Sequence, residues 1–410
     1  MPTALTDKQI ESVLAATSRL NIWSGSVRSG KTVASIIKWL KVIRDGPRGP
    51  LLMVGKTNRT LKRNVLDPML EFLGSKRMTV NSGTGEAKIL GRNVYLVGAN
   101  DERAEGKIRG VTLAGAYGDE LTTWPSSFFK MLLSRLSVTG AQLVGTTNPD
   151  APLHWLKREF LDRKDVLDLS LFLFKLTDNS FLGPDYIAAL KNEYTGLWRK
   201  RYIDGLWIAA EGPIYDMFDE DLHVVSAIPE TVRIERYWVA IDYGTSNPFV
   251  ALLFGHGSDA ITYVLNEWRW DSSQTLAQKT DAQYRIALES WLKEVVPDGS
   301  EIDIMWVDPS AASFIVECGQ GWLPAMASHN AVLDGIRLVS TSLAKQTLKI
   351  VGPNCQPLID EMQGYAWDPK AQMHGEDKPI KAADHGPDAL RYSIYSESLV
   401  GIDTTETGFF

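Results

Sequence analysis

Two cysteines, Cys318 and Cys355, are all that 410 residues contain, too few and too far apart for a zinc site or a disulfide framework. They read as ordinary thiols of a reducing compartment. Also missing is any uninterrupted apolar stretch near the ~20 residues of a membrane span, and no apolar leader opens the chain, so no membrane role is expected. Positive charge is scarce in one half only. Residues 1–212 hold 30 Lys and Arg against 21 Asp and Glu, whereas the remainder holds 13 against 29. A basic half attracts a polyanion; an acidic half repels one unless metal ions intervene. The rest of the composition, 44% hydrophobic and 23% charged, is globular, and the length suggests two domains.

Gly25, Ser26, Val27, Arg28, Ser29, Gly30, Lys31 and Thr32 fill every fixed place of the G-x-x-x-x-G-K-[ST] phosphate loop. In such a loop backbone N–H groups turn inward around phosphates, the lysine reaches the β/γ oxygens and the threonine hydroxyl helps hold Mg²⁺. The setting fits: Leu20 to Trp23 reads as a strand, and Val33 to Val42 has helical apolar spacing. Val111 to Gly118 reads as a small, apolar strand delivering Asp119, suited to holding Mg²⁺ through water, and Glu120, suited to polarising the attacking water. A third strand, Ala141 to Gly145, runs into Thr146, Thr147 and Asn148, whose side chains are expected to face the γ-phosphate and couple hydrolysis to the rest of the protein. Arg28 sits inside the loop and can act on its own nucleotide. Arg109 suits either a neighbouring subunit's nucleotide or DNA. Gln9 fits an adenine-reading position and equally a surface helix. Lys56, Arg59, Lys62 and Arg63 suit a phosphate-gripping face or a solvated helix. Alternating helix and strand signals predict a mainly parallel, doubly wound sheet.

The character changes near residue 212. Tyr237 to Asp242 is an apolar strand ending in a carboxylate, and strand-like runs follow at 249–254 and 260–268. A helical segment is expected over 273–296, then Ile302 to Val307 is another apolar strand ending in Asp308. Asp384 and Asp388 flank Pro387 at the start of an amphipathic helix. Three antiparallel strands, a helix and a parallel fourth strand is the order of a ribonuclease H-like fold. There Asp242 and Asp308 are neighbours, and a last helix adds Asp388, with Asp384 a turn earlier. Converging carboxylates repel without cations, and two divalent ions, Mg²⁺ or Mn²⁺, would neutralise them and activate water against a phosphodiester. The expected organisation is an ATPase domain over 1–212, a linker over 213–231, a nuclease domain over 232–400 and a tail over 401–410.

In order, GSVRSGKT, AGAYGDE, GTTNP, AIDYGTSNP, WVDPS and DHGPDALRY make the chain resemble the large terminase subunit of tailed bacteriophages, from the N-terminal segment to about residue 400. The resemblance implies ATP with Mg²⁺ on Lys31, Thr32 and Asp119, catalysis by Glu120 and Arg28, coupling through Thr146 to Asn148, and nuclease metals on Asp242, Asp308 and Asp388. It further implies translocation of double-stranded DNA into a procapsid and its cutting at the start and end of packaging. The implied partners are a small terminase subunit and a portal protein, with a homo-pentamer on the portal and a monomer in solution. The implied location is the cytoplasm of an infected bacterium, transiently at the procapsid portal and not in the mature virion. The short tail, ending in Phe409 and Phe410, is a candidate portal contact. Rival readings are a DNA-repair ATPase–nuclease, an ATPase with a non-cutting DNA clamp, and, from Asp242-Tyr243-Gly244-Thr245, an actin-like ATPase.

Overall fold

The computed structural model describes residues 5–81, 83–194, 196–244 and 247–405; Thr245, Phe409 and Phe410 lie outside them. The chain divides into two compact units, the first comprising Met1–Ala209 with Lys370–Glu376, the second Ala210–Pro369 with Asp377–Phe410.

The first unit is built on a sheet of eight strands: β1 (Leu20–Gly25), β2 (Leu51–Gly55), β3 (Met78–Asn81), β4 (Glu86–Ile89), β5 (Arg92–Gly98), β6 (Gly115–Gly118), β7 (Gln142–Thr147) and β8 (Leu169–Phe174). Their spatial order is β3-β4-β5-β2-β6-β7-β1-β8. From β5 to β8 every pairing is parallel, while β3 and β4 add an antiparallel edge. β1, β2 and β6 are buried along their whole length, as strands covered by helices on both faces must be. The helix Lys31–Asp45 buries Ile36, Trp39, Leu40 and Ile43 at helical spacing, each worth roughly 1.5–3 kcal/mol of apolar burial. β6 is shorter than the expected 111–118 run, because Leu113 and Ala114 donate to Arg135 and Pro50 carbonyls instead of a ladder. Its last position has no room for a side chain: a Cβ on Gly118 would stand 2.6 Å from both Leu121 and Trp124.

The second unit carries a sheet of seven strands: β9 (Val224–Val225), β10 (Ile234–Asp242), β11 (Phe249–Gly257), β12 (Thr262–Trp270), β13 (Ile302–Val307), β14 (Ala325–Ala327) and β15 (Leu348–Val351), ordered β14-β13-β10-β11-β12-β15-β9. β10, β11 and β12 form an antiparallel meander and β13 lies parallel beside β10. The helix expected over 273–296 is broken. Ser272–Thr275 forms one turn, Leu276 takes a left-handed φ of 53°, and the main helix starts at Asp281 behind a capping box of Thr280 and Gln283. The residues read as a linker pack into this unit: Tyr215 stacks on Tyr365, the Ile214 amide donates to the Tyr365 carbonyl, and β9 extends the sheet. The last helix, His385–Thr405, continues past the expected tail boundary at 401. Among the described residues no helix is long and apolar enough to cross a membrane.

Candidate functional site

Parallel strands deliver their C-terminal ends, and the loops after them, to one edge of a sheet, and in both units that edge holds the charged side chains. In the first unit β1 ends in Gly25, at a φ of 148°. A Cβ there would stand 1.8 Å from the Phe174 carbonyl oxygen, so only glycine can lead into the loop. The loop is held by its own hydroxyls. Ser29 Oγ donates to the Ser26 carbonyl at 2.7 Å, and Ser26 Oγ donates to the Ile203 carbonyl at 2.7 Å. Gly30, at φ 87°, opens the helix at Lys31, so the helix N-terminus faces the cradle. Thr32, in the first turn, is half-buried.

Lys31 is buried, and its Nζ donates to the Ser26 carbonyl at 3.0 Å and to Asn148 Oδ1 at 2.6 Å. Burial lowers its pKa from 10.5 to about 8, against the opposing fields of Glu120 and Asp119. Asp119 is buried beside it and is gripped on both oxygens: Thr146 Oγ1 donates to Oδ1 at 2.9 Å, and Asn64 Nδ2 donates to Oδ2 at 3.2 Å. Burial raises the Asp119 pKa, and those two hydrogen bonds and Lys31 oppose the rise. Thr146 Oγ1 also accepts the Glu120 backbone N–H at 3.2 Å, fixing a residue held at a left-handed φ of 52°. Strain of that kind in a non-glycine residue is maintained where surroundings over-determine it. Arg28 shares the trait at φ 56°, with an exposed side chain and a carbonyl that accepts from Asn179 at 2.7 Å.

Two expectations need revision. Thr146 and Asn148 reach the Asp119–Lys31 cluster, but Thr147 points to the other face and donates to Thr122 Oγ1 at 3.1 Å, as strand alternation demands. Gln9 is no surface residue. It is buried, its Nε2 donates to the Gly30 carbonyl at 2.9 Å, and its Oε1 accepts the Thr6 amide at 2.9 Å, so it braces the phosphate loop. Arg109 is exposed, on the loop between residues 107 and 115, without a hydrogen bond to the phosphate loop among the described residues. Asn64, which the sequence did not single out, carries no motif signal.

In the second unit Asp242 ends β10 and Asp308 follows β13, the neighbouring parallel strand, with the Asp308 amide donating to the Ile241 carbonyl at 3.0 Å. Asp384 and Asp388 bracket the start of the last helix, and both are buried. Two cations of the chain, Lys381 and Arg391, and the His385 imidazole already sit among these carboxylates. Lys381 Nζ lies 2.9 Å from Asp384 Oδ2 and 2.9 Å from Asp388 Oδ2, and His385 Nδ1 lies 2.8 Å from Asp242 Oδ2. Tyr365 and Arg391 donate to Asp388 Oδ1. Asp308 Oδ1 accepts the Ser310 amide. Burial raises the Asp242 pKa; His385 lowers it and the negative fields of Asp388 and Asp308 raise it further. Burial opposes a His385 cation, yet the Asp242 hydrogen bond and nearby acids carry its pKa above 6.5. Burial and the combined fields of Asp242, Asp388 and Asp308 push the Tyr392 hydroxyl far up. The donor set is hard oxygen and suits Mg²⁺ or Mn²⁺. As they stand, however, no three acidic, His or Cys side chains among the described residues form a group that could hold a metal ion. Lys381 and Arg391 supply countercharge to Asp384 and Asp388, and His385 pairs with Asp242. Lys381 and His385 were legible only by proximity in sequence to the quoted Asp384 and Asp388.

The family model described as "Terminase large subunit, T4likevirus-type, N-terminal" matches residues 22–221. The large terminase of a thermophilic bacteriophage, in complex with ADP, is 35% identical, with a TM-score of 0.88 over 96% of this chain and 99% of that one. This chain belongs to the phage large terminase family. The same thermophilic phage's enzyme in complex with ATP-gamma-S agrees, at 35% identity and a TM-score of 0.87 over 96% and 99% of the two chains. No curated protein matches. The fold class is accordingly an N-terminal P-loop ATPase domain with a mainly parallel sheet and a C-terminal ribonuclease H-like nuclease domain.

Proposed function

We infer that the chain is a DNA-packaging motor: the first unit hydrolyses ATP to translocate viral double-stranded DNA into a procapsid, and the second is an endonuclease that cuts it when packaging starts and ends. The observation that carries the reading is the arrangement of Lys31 between the Ser26 carbonyl and Asn148, one strand end away from a doubly held Asp119. That is a lysine aimed into a cradle of N–H groups, beside an acid suited to a magnesium water. Mg·ATP would bind through Lys31, Thr32 and Asp119, with Gln9 bracing the loop for the base. Glu120 would orient and deprotonate the attacking water, Arg28 would offset charge on the γ-phosphate, and Arg109 suits the same service to a neighbouring subunit. Thr146 touches both Asp119 and the Glu120 backbone, so a change at the phosphates would pass along β7 through it and Asn148.

For the nuclease, Asp242, Asp308 and Asp388, with Asp384 behind, would hold two divalent ions, which supply Lewis-acid activation for phosphodiester cleavage. The chain's own part is to bring the carboxylates to adjacent strand ends and hold Asp388 by Tyr365 and Arg391. Further parts of the proposal are a small terminase subunit and portal protein as partners, pentamerisation on the portal, a monomer in solution, and work in the host cytoplasm with no place in the mature virion. The test is plasmid digestion with Mg²⁺, Mn²⁺ and chelator, beside ATPase assays, for wild type, Lys31→Ala and Asp308→Ala. Metal-dependent cutting lost only in Asp308→Ala, with ATPase lost only in Lys31→Ala, is expected. Intact ATPase with no cutting under any condition would favour a DNA clamp instead.

A further inference from the structure

One hydrogen-bond chain runs from the surface of the first unit to its buried acid. The helix that follows β2 is not uniform: Asn58–Leu61 and Asp67–Leu73 are α-helical, but Lys62–Leu66 between them is a π turn. A π turn admits an extra residue and re-aims side chains, and such turns are frequent at functional sites. Here it turns Asn64 inward while Lys62 and Arg63 stay exposed. The amide of Asn64 is used at both ends. Its Nδ2 donates to Asp119 Oδ2 at 3.2 Å, and its Oδ1 accepts from Arg63 Nε at 3.2 Å. The donors and acceptors match only in this orientation, because a carboxylate cannot donate and a guanidinium cannot accept. Lys62 is tied to Asp67 at 2.7 Å. Arg63, by contrast, has no hydrogen-bond partner but Asn64 among the described residues, which leaves its two Nη groups available.

We propose that Arg63 and Asn64 are positioning residues through which a DNA phosphate orders the magnesium-holding carboxylate of Asp119. The inference rests on the ATP-driven DNA-motor reading above. An exposed arginine samples many rotamers, so its grip on Asn64 is intermittent in the free protein. A phosphate taken by the Nη edge pins the guanidinium in the rotamer whose Nε holds Asn64, and the planar fork makes both engagements simultaneous. A positive charge on its carbonyl oxygen polarises the amide and strengthens its donation to Asp119. With Thr146 on the other oxygen, Asp119 is then fixed on both sides, as hydrogen bonds to metal-orienting carboxylates generally require. The DNA-facing surface and the nucleotide site are thus joined by two side chains of adjacent residues.

The test measures the Mg²⁺ concentration that half-saturates binding of a fluorescent ADP analogue, with and without saturating linear plasmid DNA, in an Asp242→Ala background that leaves the DNA intact. DNA is expected to lower the midpoint about tenfold in that parent. Arg63→Ala removes the guanidinium that joins phosphate to amide, together with one positive charge, so the DNA-induced shift is lost even once DNA is saturating. Asn64→Ala raises the midpoint and removes the shift. Arg59→Ala, an equal loss of charge off the relay, weakens DNA binding yet keeps the shift once DNA is saturating. A parent-like shift in Arg63→Ala overturns the relay, as does a parent that binds Mg·nucleotide with no response to DNA; both leave the ATP site standing. Absence of magnesium-dependent nucleotide binding in the parent removes the motor reading itself.

Discussion

The two strand-end sites are opposite solutions to one electrostatic problem. The first prepares a place for an anion: a buried lysine with its pKa depressed, a helix N-terminus, and two acids set to one side. The second, on the proposed reading, takes cations: several carboxylates stand at one sheet edge, Asp242 among them raised in pKa by burial and by its acidic neighbours, with Lys381 and Arg391 as countercharges and His385 on Asp242. Each site carries the charge its ligand must balance, and each is costly until that ligand arrives. The nucleotide site contains the cost with backbone and hydroxyl hydrogen bonds to uncharged partners such as Ser26 and Asn148. The carboxylate site contains it with ion pairs. This difference tells where each is fragile, the first to loss of loop geometry and the second to loss of countercharge.

The sharpest way to break the comparison is to remove the central charge of each site. Lys31→Ala should cut ATP turnover by about a hundredfold or more while metal-dependent cutting persists, and Asp242→Ala should do the reverse. Single-turnover ATP hydrolysis and plasmid cleavage, with circular dichroism to establish folding, make the measurement. One substitution that abolished both activities in a folded protein would end the idea of two independent sites.

Next in size is the contrast between adjacent threonines. Thr146→Val removes the hydroxyl that holds Asp119 and the Glu120 backbone, and should lower kcat for ATP roughly tenfold to a hundredfold. Thr147→Val breaks only bonds to Thr122 Oγ1 and the Asn148 carbonyl and should cost less than about threefold. Equal losses in the two variants would show that the strand's two faces are not functionally distinct.

These details mark what the sequence could and could not convey. The phosphate loop is legible because backbone geometry demands its residue types: Gly25 cannot carry a Cβ, and Lys31 must start a helix. Asp242 and Asp308 are legible because a strand's hydrophobic run announces its end, and strand order sets them side by side. Thr147 was readable by strand alternation but was grouped with its neighbours. Asn64 was not readable, since a π turn leaves no periodic signal and its partner lies far along the chain. The hairpin β3–β4 was missed because its strands are short and half exposed, so apolar runs were absent. Helical spacing hid the break before Asp281, although Thr280 and Gln283 spell the capping box that marks a new start.

A smaller effect sharpens the anion side of the comparison. The pKa of Lys31 falls to about 8 in the fold, mainly through burial, against 10.5 when exposed. A lowered folded-state pKa on a base means that the unfolded chain binds more protons across that interval, so stability should rise as pH goes from about 8 towards 10. Phosphates favour the charged lysine, so nucleotide affinity should move the other way, weakening by up to about tenfold per pH unit above 8 as binding takes up a proton. Calorimetric titration of ADP in buffers of different ionisation enthalpy would detect that uptake. Proton-neutral binding at about pH 9, above the lowered value, would mean that Lys31 stays charged in the empty site.

The smallest expected effect concerns the cation side. Lys381 bridges Asp384 and Asp388 from a largely exposed position, where solvent screening limits the pair to about 1 kcal/mol. Lys381→Met should therefore lower thermal stability slightly in chelator, because two buried carboxylates lose their shared countercharge. It should also strengthen the response to Mn²⁺, because a divalent ion no longer competes with a tethered ammonium for Asp388. The expected pattern is a variant that melts a few degrees lower in chelator and needs several-fold less Mn²⁺ for half its maximal thermal shift. Identical Mn²⁺ midpoints in wild type and variant would mean that Lys381 neutralises the acids without standing where the metals bind. Lys381 would then act only as a countercharge beside the metal positions, and the site's resemblance in reverse to the nucleotide site, where Lys31 stands where the ligand binds, would fail.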